Sequence, residues 1–429
     1  KILDTKKDLE YYIESDNPEA YEYYLKAKYQ YEKRKNIDDI ETTRGLLQQA
    51  LSLDVNMFSA KNLYGTTYLE TGDYDIAMTI YTENLAIAEL QVNEAYIASS
   101  LTNIGIIYQL KGDYLESIEN YLRSYTIQSK IGDRFGMSNT LGNIGVIYRY
   151  RGEYDKALEQ FNNCLKIQEE LDNKRSMAST YNNIANIHMQ RGEYDKALSM
   201  YNQSLGISKA IDDKHIISIL QENIALIYLR MGDYKQALEN HMDALQLQEE
   251  LGDKRSIAST LHNLGHTHHY LGQYETALEY YKKAKEIRIQ IEDKKGLSYT
   301  LLLIGIIHQT FNQPEKAREL LETSLEILED IGIKKGGILL DTIAQYYILK
   351  KQSNEKYDKS RILNLLKETD EIDFSTNLTL YHLLDDESFL QSAKKQIEQL
   401  ADNLSKPDEF LNLPIPKAIE NETKNIQSS

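Results

Sequence analysis

Apolar residues in this chain recur at helical rather than strand spacing. Between residues 134 and 172, Met137, Leu141, Ile144 and Tyr148 follow one another at intervals of three or four, the stripe expected of one helix face. The series stops at Arg151-Gly152, where glycine can take the left-handed conformation that ends a helix. A second series, Tyr154, Ala157, Leu158, Phe161, Cys164, Leu165 and Ile167, ends at Leu171-Asp172-Asn173. Two antiparallel helices joined by a short turn are predicted. No proline between Pro18 and Pro314 interrupts such helices.

The pattern then repeats. Gly-acid-Tyr stands at Gly72, Gly112, Gly152, Gly192 and Gly232, weakens to Gly272-Gln273-Tyr274 and degrades to Asn312-Gln313-Pro314, always forty residues apart. A fixed period of this size marks a stacked repeat array. Small residues hold one column of the first helix (Gly105, Gly145, Ala185, Ala225, Gly265, Gly305) and one of the second (Ser117, Ala157, Ala197, Ala237, Ala277, Ala317). Large residues, Tyr121, Phe161, Tyr201 and Tyr281, fill the gaps between them. The two helices of a unit are therefore expected to approach closely.

Leu141, Ile144, Gly145, Tyr148, Ala157, Phe161 and Cys164, in that order, resemble the tetratricopeptide repeat (TPR). Leu replaces the usual early Trp, the closing Pro is absent, and the unit is forty residues, as in the longer-helix subclass with a terminal Gly-Asp-Lys turn such as Gly252-Asp253-Lys254. The resemblance implies an all-α, right-handed superhelix of about eight repeats over 17–351, after a lead-in at 1–16. A helical C-terminal cap is expected at 352–404, with an amphipathic capping helix over 386–404. The Pro-bearing 405–429 is expected to be an extended or disordered tail. Ala20-Tyr21-Glu22-Tyr23-Tyr24-Leu25-Lys26-Ala27-Lys28 and the segment Phe410–Ile419 resemble parts of bacterial signalling proteins in which a nucleotide cyclase or a kinase domain lies upstream. An upstream effector domain is thus expected, in keeping with a first residue, Lys1, that is not Met.

Charge narrows the partners. Lys plus Arg number 49 and Asp plus Glu 66, a formal net charge of −17. Nucleic acid and anionic membrane surfaces both call for a basic face, so neither is expected. No apolar run reaches the length of a membrane span. The single cysteine, Cys164, forms no intrachain disulfide and occupies a small-residue slot. A cytoplasmic setting is expected.

In TPR arrays the first helix of each pair lines the concave side. The position two before the small residue then carries Asn103, Asn143, Asn183, Asn223 and Asn263. Asn is a mediocre helix former, yet its amide both donates and accepts. Such a ladder is similar to the asparagine ladders of TPR superhelices that clamp an extended peptide backbone. The bland alternative is that each Asn ties a helix to its neighbour's loop. Further groove positions include Tyr150, Asn182, Asn186, Glu222, Arg230, His262 and His266. The wall is almost uncharged, which disfavours an acidic tail as ligand and favours a neutral or mixed segment.

His262, His266 and His269 share one helix face. A metal site completed by Glu222, a pH-sensitive ligand contact, or a plain polar wall are the three readings. Lys174-Arg175, Lys254-Arg255 and Lys294-Lys295 form either a basic rim or solvated turns paired with nearby acids. No nucleophile motif or phosphate-binding loop appears, so no enzyme activity and no cofactor are expected. The expected function is non-catalytic binding of a peptide or protein in the Asn-lined groove, in a sensor or regulatory role. The alternative is a static scaffold that uses its convex face or ends. The tail 411–419 is also a candidate to dock in a groove of its own chain or a neighbour's.

Overall fold

The computed structural model describes residues 15, 17–34, 37–369, 372–402 and 407–428. The lead-in 1–16 lies outside them apart from Ser15. Helices pair as α1 (Pro18–Glu32) with α2 (Ile37–Leu53), α3 (Phe58–Glu70) with α4 (Tyr74–Leu90), α5 (Glu94–Lys111) with α6 (Tyr114–Ile131), and α7 (Arg134–Tyr150) with α8 (Tyr154–Glu170). Next in order come α9 (Lys174–Gln190) and α10 (Tyr194–Ala210), followed by the pairs α11 (Lys214–Arg230) with α12 (Tyr234–Leu251), α13 (Lys254–Tyr270) with α14 (Tyr274–Gln290), and α15 (Lys294–Thr310) with α16 (Pro314–Asp330). The chain forms two compact units, 1–187 and 188–429.

Both turns of each repeat follow from sequence. Gly112, Gly152 and their equivalents hold φ between 73° and 86°, and Asn312 takes φ 55° in the degenerate copy, because Asn tolerates the left-handed region. After the second helix, Asp133, Asp213, Asp253 and Asp293 each accept the backbone N–H three residues on, an N-cap for the next first helix. The basic residues beside these caps pair with acids at the end of the same repeat: Arg134 with Glu170, Lys214 with Glu250 at 2.9 Å and Lys294 with Asp330 at 2.6 Å.

The cores repeat in the same way. A Cβ on Gly145 would lie 2.8 Å from the Phe161 ring, and one on Gly265 2.7 Å from Tyr281. The absent side chain lets the ring opposite each of these glycines, and opposite Gly65 and Gly105, seat fully. Tyr81, Tyr121, Phe161, Tyr201 and Tyr281 are completely buried. Successive repeats are joined by buried polar pairs, Thr140 Oγ1 donating to Gln128 Oε1 and Thr260 Oγ1 to Gln248 Oε1. Cys164 is buried against the Ser138 carbonyl, and burial pushes its thiol pKa up.

After the repeats come α17 (Gly337–Gln352), α18 (Lys359–Lys367), α19 (Phe374–Leu384), α20 (Glu387–Asp402), α21 (Pro407–Leu411) and α22 (Pro414–Ser428). The last two correct the expectation of an extended or disordered tail. Pro407 and Pro414 stand at the first residue of their helices, where the missing N–H costs nothing and the fixed φ is already helical. Ile415, Ile419 and Ile426 then make one apolar face, which is packed rather than solvated.

Candidate functional site

Successive first helices lie side by side: α5 against α7 in the first unit, α13 against α15 in the second. The five Asn residues occupy equivalent, half-buried positions on α5, α7, α9, α11 and α13. Two of them bond laterally. Asn103 Nδ2 donates to Asn62 Oδ1 at 2.6 Å, and Asn263 Nδ2 donates to Glu222 Oε2 at 3.0 Å, each partner lying one repeat back. The tie runs to the neighbouring helix, not to its loop, and takes one of the two N–H groups of each amide. Asn182 and Asn186 are also half-buried, while Tyr150 and Arg230, at the end of the same face, are exposed.

Glu222 is held from two sides. Besides Asn263, His241 Nδ1 lies 3.0 Å from Glu222 Oε1. His241 is completely buried and stands in the column filled elsewhere by Tyr121, Phe161, Tyr201 and Tyr281. The carboxylate is therefore fixed in orientation on a wall that carries few other charges.

His262 and His266 do not line an open face. His262 is 5 % exposed, with Nδ1 3.3 Å from Thr300 Oγ1 and 3.5 Å from Arg288 Nη1. Tyr299 covers it at 4.8 Å between ring centroids. Bulky residues of the following repeat, Tyr299 and Leu302, close over this column, and sequence position alone did not reveal that. His266, His269, Tyr270, Tyr299, Asp341 and Asp373 surround a cavity of about 50 Å³ whose lining includes Ile415 of α22.

Burial, with the Arg288 charge second, holds the His262 pKa well below the usual imidazole range. His266 is lowered to about 4 and His269 to about 3, burial again the main cause. Burial thus favours the neutral form of all three imidazoles. Asp341 is pushed up to about 7 by burial and then by the Asp373 charge, against a hydrogen bond from Thr376 Oγ1 at 2.8 Å. Among the described residues no three His, Cys, Asp or Glu side chains converge as metal ligands.

A family model for the tetratricopeptide repeat matches residues 96–170, 176–254 and 256–330, more than half of the chain. The chain belongs to the tetratricopeptide repeat family. No curated protein matches it in sequence. Among solved structures it is similar to a signal transduction ATPase with numerous domains that carries a TPR sensor, from Pyrococcus horikoshii. The identity is 18 % and the TM-score 0.60, covering 88 % of this chain and 55 % of that one. It is also similar to the apo form of the quorum sensor NprR from B. thuringiensis (17 %, TM-score 0.58, covering 81 % and 97 %). A third is aspartyl phosphate phosphatase F from Bacillus subtilis (15 %, TM-score 0.54, covering 81 % and 92 %). At these identities the likeness is one of fold. No helix among the described residues is long and apolar enough to cross a membrane.

Within this TPR solenoid, sequence reasoning named the Asn column and Glu222 but not the side chains that hold them and their neighbours. Asn62, His241 and Arg288 went unremarked. A signal existed for His241: it breaks an aromatic column in the same repeat in which Glu222 brings a charge to a neutral one. His188 and His268, at equivalent positions of their first helices, do structural work. His268 Nδ1 bonds Gln273 Oε1 at 2.6 Å and its ring stacks on Tyr280, while His188 Nδ1 lies 2.6 Å from Glu193 Oε2.

Proposed function

We propose that this TPR chain is a non-catalytic module that binds an extended segment of a partner protein along its Asn-bearing first-helix face and reports that binding to an attached effector. The observation that carries the reading is the Asn column. Five consecutive repeats spend a helix-interior position on a residue that costs helix propensity. Where its bonds are resolved, at Asn103 and Asn263, the amide is oriented by the preceding repeat. A pre-oriented amide can grip both groups of a peptide unit at little further entropic cost. The TPR sensors among the structural relatives are in keeping with such a role. Glu222 adds one fixed negative charge, suited to a Lys or Arg side chain of an otherwise neutral ligand.

The test compares wild type with Asn143→Ala/Asn183→Ala/Asn223→Ala in a pull-down read by mass spectrometry. A partner kept by wild type and lost by the variant is the expected result. Equal retention would move function to the second-helix face. One observation favours that second reading: Leu115 and Leu122 of α6 are 69 % and 51 % exposed, at positions that are polar in most other repeats.

A further inference from the structure

The polar wall of the cavity of about 50 Å³ comes from four helices of the unit 188–429. His266, His269 and Tyr270 belong to α13, Tyr299 to α15 and Asp341 to α17, while Asp373 caps α19. Asp373 is exposed and marks the mouth, and Asp341 is half-buried. Thr376 orients both carboxylates. Its backbone N–H donates to Asp373 Oδ1 at 2.7 Å and its hydroxyl to Asp341 Oδ1 at 2.8 Å. Among the described residues the second oxygen of each carboxylate has no partner, and His266, His269, Tyr270 and Tyr299 make no side-chain hydrogen bond.

We propose that this cavity binds a primary ammonium group, with Asp341 and Asp373 as its counter-charge and Tyr270 and Tyr299 as its aromatic walls. The group is the same on a free alkylamine and on a lysine side chain of a protein segment.

Three features argue for it. The first is charge. No Lys or Arg lines the cavity, whereas the buried Arg44 and Arg288 each have an acid in ion-pair reach, Glu41 and Asp293. A buried carboxylate without a cation costs stability. A cationic guest offsets that cost, and a ring face adds to the attraction. Burial and the Asp373 charge push Asp341 up to about 7, and a bound cation acts in the opposite direction. The second is hydrogen bonding. Burial favours neutral imidazoles at His266 and His269, so each offers one acceptor nitrogen. Acceptors then stand on α13, on α17 and at the cap of α19. The three diverging N–H groups of an ammonium suit them better than a planar guanidinium does. The third is size. At about 10–15 Å³ for each water-sized guest, the cavity takes roughly three to five non-hydrogen atoms, an ammonium nitrogen and its first carbons.

Thermal unfolding of the full chain at pH 8 in n-propylammonium chloride tests this, with sodium chloride and tetramethylammonium chloride at equal ionic strength beside it. The expected result is a saturable rise in melting temperature with propylammonium alone. Asp341→Asn and Asp373→Asn should each weaken the apparent affinity at least tenfold and leave helical circular dichroism unchanged, since Asn keeps the size and, at 373, the cap. Affinity should also fall from pH 8 to pH 5 as Asp341 takes up its proton. His266 and His269 take theirs at lower pH, and Tyr270 and Tyr299 keep theirs throughout. Nα-acetyl-lysine N-methylamide separates the two sources. Stabilisation by it as well assigns the site to a lysine side chain, and stabilisation by propylammonium alone assigns it to a free amine. Equal shifts in all three salts overturn the proposal, as does a propylammonium shift that survives both Asp variants. A larger shift with calcium chloride overturns it too, because the guest would then be a metal ion. The site is independent of the Asn column: Asn143→Ala/Asn183→Ala/Asn223→Ala should keep the full propylammonium response, so the two readings fail separately.

Discussion

Asn143, Val146 and Tyr150 on α7 have counterparts in Asn263, His266 and Tyr270 on α13, at the same helical positions exactly three repeats later. Tyr150 is 57 % exposed and stacks loosely on Tyr114, 6.5 Å between ring centroids. Tyr270 lies inside an apolar core with Phe374 of α19 and side chains of α22. The backbone and the Gly–aromatic packing are the same in both repeats. What differs is the layer placed on top, and with it the chemistry: all nine histidines lie between residues 188 and 382, and the first 187 residues contain none. A repeat column therefore fixes where a side chain stands but not what surrounds it.

The largest expected effect probes what the two regions share. Gly145→Val and Gly265→Val should each destabilise by about 3 kcal/mol, because the new side chain meets a fully buried ring. Chemical denaturation of both variants checks this. Equal losses mean that the repeats carry the stability alike. A much smaller loss at Gly265 would mean that the C-terminal helices, not the repeat core, hold that region together.

The next effect probes what they do not share. His266 and His269 have folded pKa values near 4 and 3, below the ordinary value of 6.5. The unfolded chain binds protons first as pH falls, so this stability is complete above about pH 6.5 and is lost progressively toward about pH 3. Asp341 has the opposite sign. Its pKa is raised to about 7 from 3.8, so the folded state holds the proton longer and stability falls as pH rises from about 4 to 7. The double variant His266→Gln/His269→Gln should flatten the acid-side fall in melting temperature. Asp341→Asn should raise the melting temperature by a few degrees at pH 8 and by less at pH 5. A pH profile unchanged in all of these variants would show that the cavity is open to water and its groups titrate normally.

Much of this was legible in the sequence. The forty-residue register, the turn glycines and the small columns located every repeat helix from residue 58 to 330, because each is a local choice that the neighbouring repeats duplicate. The tail was misread for a local reason too: Pro414 and Pro416 look like breakers until their place in a helix's first turn is known. The fate of His262 and His266 was not legible, because it depends on Tyr299, Asp341 and Ile415, which are 33 to 153 residues away. The lateral bonds of Asn103 and Asn263 lie between these cases. Their partners stand 41 residues back, one more than the period, and that offset is readable once the first helices are known to run side by side.

The smallest expected effect returns to the backbone that the two regions have in common. From α4 onward, the turn after the second helix takes one left-handed residue in each repeat. Gly132, Gly252 and Gly332 supply it at φ 70° to 73°, and Asp172, Asp212 and Glu292 at 47° to 56°. In the N-terminal region Val92 takes φ 54° and is 78 % exposed. A β-branched residue is strained there by roughly 1–2 kcal/mol, and exposure leaves it little packing in return. Glycine would relieve the strain but adds roughly 0.5–1 kcal/mol of chain entropy to the unfolded state. Val92→Gly should therefore stabilise by about 0.5 kcal/mol net, and Gly252→Val should cost at least as much. Equilibrium urea unfolding resolves both if the slopes match wild type. A destabilised Val92→Gly would mean that this exposed side chain is covered, and that the N-terminal region, like the C-terminal one, carries a layer that its repeat pattern does not announce.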